Sequence, residues 1–71
     1  MNKSESQFID KILLRDRVIE VGKDVYISSI NWKGQYPVKE IQICESGGVL
    51  VWCLVKKRLV PFNEEEIFES R

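Results

Sequence analysis

Seventy-one residues with eleven Lys+Arg against eleven Asp+Glu, no histidine and two cysteines describe one small domain of zero formal net charge. A chain of this size buries only about 60% of its unfolded surface, which argues against a deep catalytic cleft, and zero net charge removes the long-range field that draws proteins to nucleic acid or anionic membranes. The missing imidazole takes away the commonest general base and metal ligand, and Cys44 and Cys53 alone complete neither a four-ligand zinc site nor a disulfide scaffold, so neither metal nor cofactor is expected.

The opening Met1-Asn2-Lys3-Ser4-Glu5-Ser6-Gln7 lacks the apolar core of a signal peptide. The longest apolar run, seven residues, is too short to span a bilayer. A reduced, cytoplasmic protein with no membrane partner is the expectation. Ser4 and Gln7 have capping-box spacing, and Phe8, Ile9, Ile12 and Leu13 recur at a helical period in a stretch without Gly or Pro. The pattern predicts an amphipathic helix over 5–16, with Lys11, Arg15 and Arg17 toward its negative end, that either docks on a sheet or binds a partner.

After Val18-Ile19-Glu20-Val21, the pair Gly22-Lys23 signals a turn, and Asp24 to Ile30 reads as a strand with Val25 and Ile27 on one face. Asn31-Trp32-Lys33-Gly34-Gln35 reads as a loop whose tryptophan either folds back over the core or stands exposed as a binding anchor. Tyr36 to Cys44 is the next strand. Its apolar phase slips between Val38 and Ile41, which predicts a β-bulge at Lys39 or Glu40, and Pro37 belongs near the strand's start or on an unpaired edge.

The strand around which the fold is organised is Val49-Leu50-Val51-Trp52-Cys53-Leu54-Val55, β-branched and aromatic, introduced by Gly47-Gly48 and closed by Lys56-Lys57-Arg58. A two- or four-residue hairpin loop before it puts Ile41 and Ile43 on the same face as Leu50, Trp52 and Leu54, as the core. Gln42, Cys44, Val49, Val51, Cys53 and Val55 then form a second face too apolar for water, with both cysteines acting as small hydrophobes. This face needs a cover: the helix of residues 5–16, a second copy of the chain, or a partner. Leu59-Val60-Pro61-Phe62 is a short strand that Pro61 restricts to an edge or an end, Asn63 caps a turn of Glu64-Glu65-Glu66, and Ile67-Phe68 closes the fold. Ser70-Arg71, like the first few residues, is expected to be loose.

Val21-Gly22-Lys23-Asp24-Val25-Tyr26 at the opening and Phe62-Asn63-Glu64-Glu65-Glu66-Ile67-Phe68 at the end resemble the first strand and the strand, helical turn, strand close of small SH3-like barrels found in phages, prophages and other mobile elements. The resemblance implies a mostly β (α+β) fold: residues 1–17 as a helix packing on a five-stranded SH3-like barrel of residues 18–71, one domain overall. It also implies a non-enzymatic adaptor or inhibitor acting by protein-protein contact on a host enzyme or defence complex, as anti-CRISPR-like proteins do. The paired aromatics and acidic loop of a proline-peptide groove are missing, so that activity is not carried over.

The residues expected to carry protein binding are Trp32, Lys33 and Tyr36 with the basic turn Lys56, Lys57 and Arg58. A second choice is the acidic surface of Glu64, Glu65, Glu66 and Glu69 as a mimic of nucleic-acid charge. The alternative function is a nucleic-acid module resembling KOW domains, with Lys33, Lys39 and the basic turn on phosphates and Trp32 and Tyr36 stacking on bases. Homodimerisation remains open. Catalysis is not expected, because consecutive Glu64, Glu65 and Glu66 fan around a turn rather than converge on one atom, and Gly47-Gly48 has no phosphate-loop context.

Overall fold

The computed structural model describes residues 6–68. Eight strands follow in order: β1 (Gln7–Ile9), β2 (Lys11–Leu14), β3 (Arg17–Glu20), β4 (Asp24–Ser28), β5 (Lys33–Ile43), β6 (Val49–Val55), β7 (Arg58–Asn63) and β8 (Ile67–Phe68), with a 3-10 turn at Glu64–Glu66 before the last. The main sheet runs β7-β6-β5-β4-β8, β1 pairs with β5 off that path, and β2 with β3 forms a separate hairpin. All the pairings are antiparallel.

The expected helix over 5–16 is therefore replaced by strands, and the five-stranded barrel carrying a helix is corrected to a nearly all-β domain. The cause lies in residues whose alternation competes with the helical stripe. Ile12 and Leu14 point inward with Ile19, while Leu13 faces its partner Val18 in solvent, 66% and 59% exposed. A helix of a dozen residues is marginal in isolation, whereas the hairpin buries Leu14 and Ile19 in the common core and gains cross-strand pairing. The two-residue turn Arg15-Asp16, with Arg15 at φ 56, closes it. Ser4, the proposed cap, lies outside the described residues, as do Glu69, Ser70 and Arg71; Gln7 opens β1 instead.

Between β3 and β4 the chain reverses on Gly22, whose φ of 95 suits the third position of a type II turn closed by Lys23 N–H donating to Glu20 O at 3.1 Å. Two further backbone bonds, Gly22 N–H to Val38 O and Val38 N–H to Lys23 O, tie this turn to β5. Strand β4 buries Val25 and Ile27 as its alternation requires. In β5 the register against β6 jumps from Val38↔Cys53 to Glu40↔Trp52, so the expected bulge is present at Lys39. It lets one long strand pair with β4 along its first half and with β1 and β6 along its second.

The β5-β6 loop sets which residues form the core, and here the expectation is overturned. Cys44 N–H donates to Gly48 O at 2.8 Å and Gly47 N–H donates to Cys44 O at 2.9 Å, leaving a three-residue loop, Glu45-Ser46-Gly47, with Gly47 at φ 96. A turn followed by one left-handed residue is the usual three-residue hairpin. An odd loop reverses the parity that two or four residues would give. Ile41 therefore pairs with Val51 and Ile43 with Val49, and Ile41, Val51, Cys53 and Val55 are buried with Phe62, Val38 and Ile67. Leu50, Trp52 and Leu54 lie on the other side of the sheet, and Ile43 is only half-buried.

The close of the chain follows the sequence pattern. Asn63 Oδ1 accepts from Glu65 N–H at 3.0 Å while Glu66 Oε1 accepts from Asn63 N–H at 3.1 Å, a reciprocal cap on the 3-10 turn. Ile67 and Phe68 then pair with Ile27 and Tyr26. The β2-β3 hairpin reaches the same strand, where the Arg17 guanidinium donates to Ile67 O.

Candidate functional site

Strand alternation and register place Leu50, Trp52 and Leu54 of β6 and Leu59, Pro61 and Asn63 of β7 on the outward face, in the cross-strand rows Leu54–Leu59, Trp52–Pro61 and Leu50–Asn63. On β5 the same face carries Glu40 beside Trp52 and Gln42 beside Leu50, and on β1 it carries Phe8 beside Gln42. Phe8 is 60% exposed and Leu59 46%. Leu50, Trp52 and Leu54 are half-buried, and the sheet's fully buried residues are on its other side. Trp52 sits in the middle row, its indole Nε1–H donating to Gln42 Oε1 at 2.8 Å. That bond fixes the ring and satisfies its only polar atom, so the indole presents a rigid apolar surface.

The face is bounded by charge at both ends. Beyond Leu54–Leu59 the β6-β7 turn carries exposed Lys56 and Lys57, while Arg58, paired with buried Val55, opens β7 on the sheet's other face. Beyond Leu50–Asn63 an open groove of about 460 Å³ is lined by Cys44, Val49, Leu50, Asn63, Glu64 and Glu65, with Glu45 exposed in the adjoining loop.

The residues expected to bind protein come together in part. Trp32 is half-buried and packs against the core, so the choice between core cap and exposed anchor resolves to a cap with one open side. Its backbone is pinned by Ser29: Ser29 N–H donates to Trp32 O at 2.9 Å and Trp32 N–H donates to Ser29 Oγ at 3.1 Å, around an Ile30-Asn31 turn in which Ile30 is 97% exposed. Lys56 Nζ lies 5.5 Å from the Trp32 ring centroid. Tyr36 is half-buried, its hydroxyl donating to Lys33 O at 3.3 Å, so Trp32, Lys33, Tyr36 and Lys56 share one end of the sheet. Lys57 follows in the same turn and Arg58 opens β7, both exposed. Of the acidic set, Glu66 is committed to the cap, Glu64 and Glu65 line the groove, and Glu69 lies outside the described residues.

The cysteines separate. Cys53 is fully buried, and burial, with the charge of Asp24 as the smaller cause, pushes its thiol up to about 12. Cys44 is half-buried on the outward side in the groove, so the two do not share a face as the even-loop reading requires. No group of three or more Cys, Asp or Glu side chains arranged for a metal ion occurs among the described residues, and no helix there is long and apolar enough to cross a membrane.

The outward position of half-buried Trp52 was missed because it depends on loop parity. The legible signal was Glu45-Ser46-Gly47 read as a three-residue loop with glycine in the left-handed position. The chain matches no protein-family profile, no curated protein and no solved structure.

Proposed function

We propose that this chain is a non-enzymatic protein-binding module whose contact surface is the outward face of β5, β6 and β7, centred on Trp52. The observation that carries the reading is a half-buried tryptophan held by Gln42 in the middle of an apolar outward sheet face flanked by exposed Phe8 and Leu59. Tryptophan is the side chain most enriched among interface hot spots, and a contiguous apolar patch on a small domain ordinarily marks a contact site. The 3-10 turn between β7 and β8 gives the strand, helical turn, strand close from which the sequence resemblance was drawn. The role that resemblance implies, inhibition of a host enzyme or defence complex, needs no chemistry beyond such a contact.

The nucleic-acid alternative is weaker for a geometric reason. Base stacking needs an open aromatic face, and Lys56 lies over the face of Trp32 while Tyr36 is half-buried. The test is capture of protein by the immobilised chain, comparing wild type with Trp52→Arg and Leu59→Arg after circular dichroism has established that each is folded. The reading requires a protein partner held by wild type and lost in both variants. Capture indifferent to both, or nuclease-sensitive recovery of nucleic acid alone, overturns it.

A further inference from the structure

We infer that the β7 margin of the sheet is closed to strand addition by two residues, Pro61 and Glu66, so that no neighbouring chain can continue the sheet there. This stands whether or not the outward face binds a partner. The direction of the β7 backbone decides it. Lys56-Lys57 is a two-residue loop with both residues left-handed, φ 52 and 69, the hairpin turn whose flanking residues, here Val55 and Arg58, exchange both backbone bonds. Bonded pairs alternate along an antiparallel ladder, so Cys53 with Val60 and Val51 with Phe62 are bonded as well. Leu59, Pro61 and Asn63 therefore turn their backbone groups away from β6.

Two contacts agree with this direction. Asn63 N–H donates to Glu66 Oε1 at 3.1 Å, away from β6. Cys44 N–H donates to Gly48 O, which aims Gly48, and by alternation Leu50, at β5 and leaves Leu50 no bond for its β7 partner Asn63. Strand β7 ends the main sheet, so Leu59, Pro61 and Asn63 are the row that a further strand would have to bond. Pro61 has no N–H, and its ring fills the space where the proton would point. The Asn63 N–H is held by Glu66. Only the Leu59 N–H remains, next to exposed Lys57 and Arg58. An added strand bonds at every second residue, so losing two consecutive positions removes the ladder.

At the other end of the strand order the same 3-10 turn closes β8. Ser29 N–H donates to Trp32 O, which by alternation aims Ile27 at β5, so its partner Ile67 turns its own backbone groups away from β4. Both are occupied: Ile67 N–H donates to Glu64 O, and Ile67 O accepts from the Arg17 guanidinium. Glu66 through its side chain and Glu64 through its carbonyl thus serve opposite ends of the sheet. The guard on β7 matters most, because Leu59-Val60-Pro61-Phe62 with a strand-forming residue in place of proline is an apolar edge of the kind that aggregates.

The experiment is amide hydrogen exchange read residue by residue, with sedimentation, on the full chain at about 20 μM and about 1 mM, for wild type, Pro61→Val, Glu66→Ala and the double variant. In dilute Pro61→Val the new N–H at position 61 is expected to exchange almost as fast as in an unstructured chain, and those of Val60 and Phe62 at least about 100-fold more slowly. Glu66→Ala is expected to speed exchange at Asn63 by about tenfold or more. In the double variant, raising the concentration is expected to produce oligomers in which positions 59, 61 and 63 become protected together, while the wild-type Leu59 N–H stays fast throughout. Should the double variant not fold, Pro61→Val is read in the same way at positions 59 and 61. Protection at position 61 in dilute Pro61→Val overturns the inference, because that group would then point at β6. Wild-type Leu59 becoming protected as concentration rises overturns it, as does a folded variant with the edge released that stays monomeric or associates without protecting positions 59 and 61.

Discussion

Cys53 illustrates how a single buried thiol makes stability depend on pH. Its ordinary value of 9.0 rises to about 12 in the fold, first because burial disfavours the thiolate and second because Asp24 is negative. Between these values the unfolded chain releases the proton and the folded chain keeps it, so the unfolded state binds fewer protons and stability falls as pH rises from about 9 to about 12. The contribution is fully present below 9. Denaturant unfolding of wild type and Cys53→Val between pH 8 and pH 11 should therefore diverge, with wild type losing more; parallel curves would contradict the assignment. Under native conditions at neutral pH a thiol reagent should modify half-buried Cys44 and reach Cys53 only on the timescale of unfolding.

Among the elements, the β2-β3 hairpin separates most clearly into a face that stabilises and a face that does not. Ile19 is 3% exposed and shares the core with Leu14, whereas its chain neighbour Val18 projects into solvent opposite Leu13. Ile19→Ala should cost about 2–4 kcal/mol by urea denaturation, and Val18→Thr less than about 0.5 kcal/mol. The contrast between Ile19 and Val18 thus tests the inward and outward faces of β3 directly. The same element explains the limits of the sequence reading. Phe8, Ile9, Ile12 and Leu13 fit a helical stripe and a pair of strands equally well over so short a span, and what decides is a long-range contact, Arg17 with Ile67 and Leu14 with the core, that local spacing cannot contain. Where local chemistry was decisive, at the Asn63 cap, the Gly22 turn and the Lys39 bulge, the residues alone were sufficient. The outward face was missed for a single residue of loop length, since parity converts every inward position on β6 to an outward one.

For the molecule as a whole, zero net charge conceals a separation of charge along the outward sheet, basic at one end and acidic at the other, with the apolar rows of Trp52 between. The basic end is carried by a two-residue turn in which Lys56 has φ 52 and Lys57 φ 69. Left-handed backbone of this kind is the natural place for Asn-Gly, and an L side chain there costs roughly 1 kcal/mol. The chain thus gives up stability at the turn and holds two cations instead. Lys57→Gly should accordingly raise the melting temperature by several degrees, which calorimetry of the variant beside wild type would read. An engineer selecting this domain for heat resistance alone would erase the turn's charge first, and with it the basic end of the sheet.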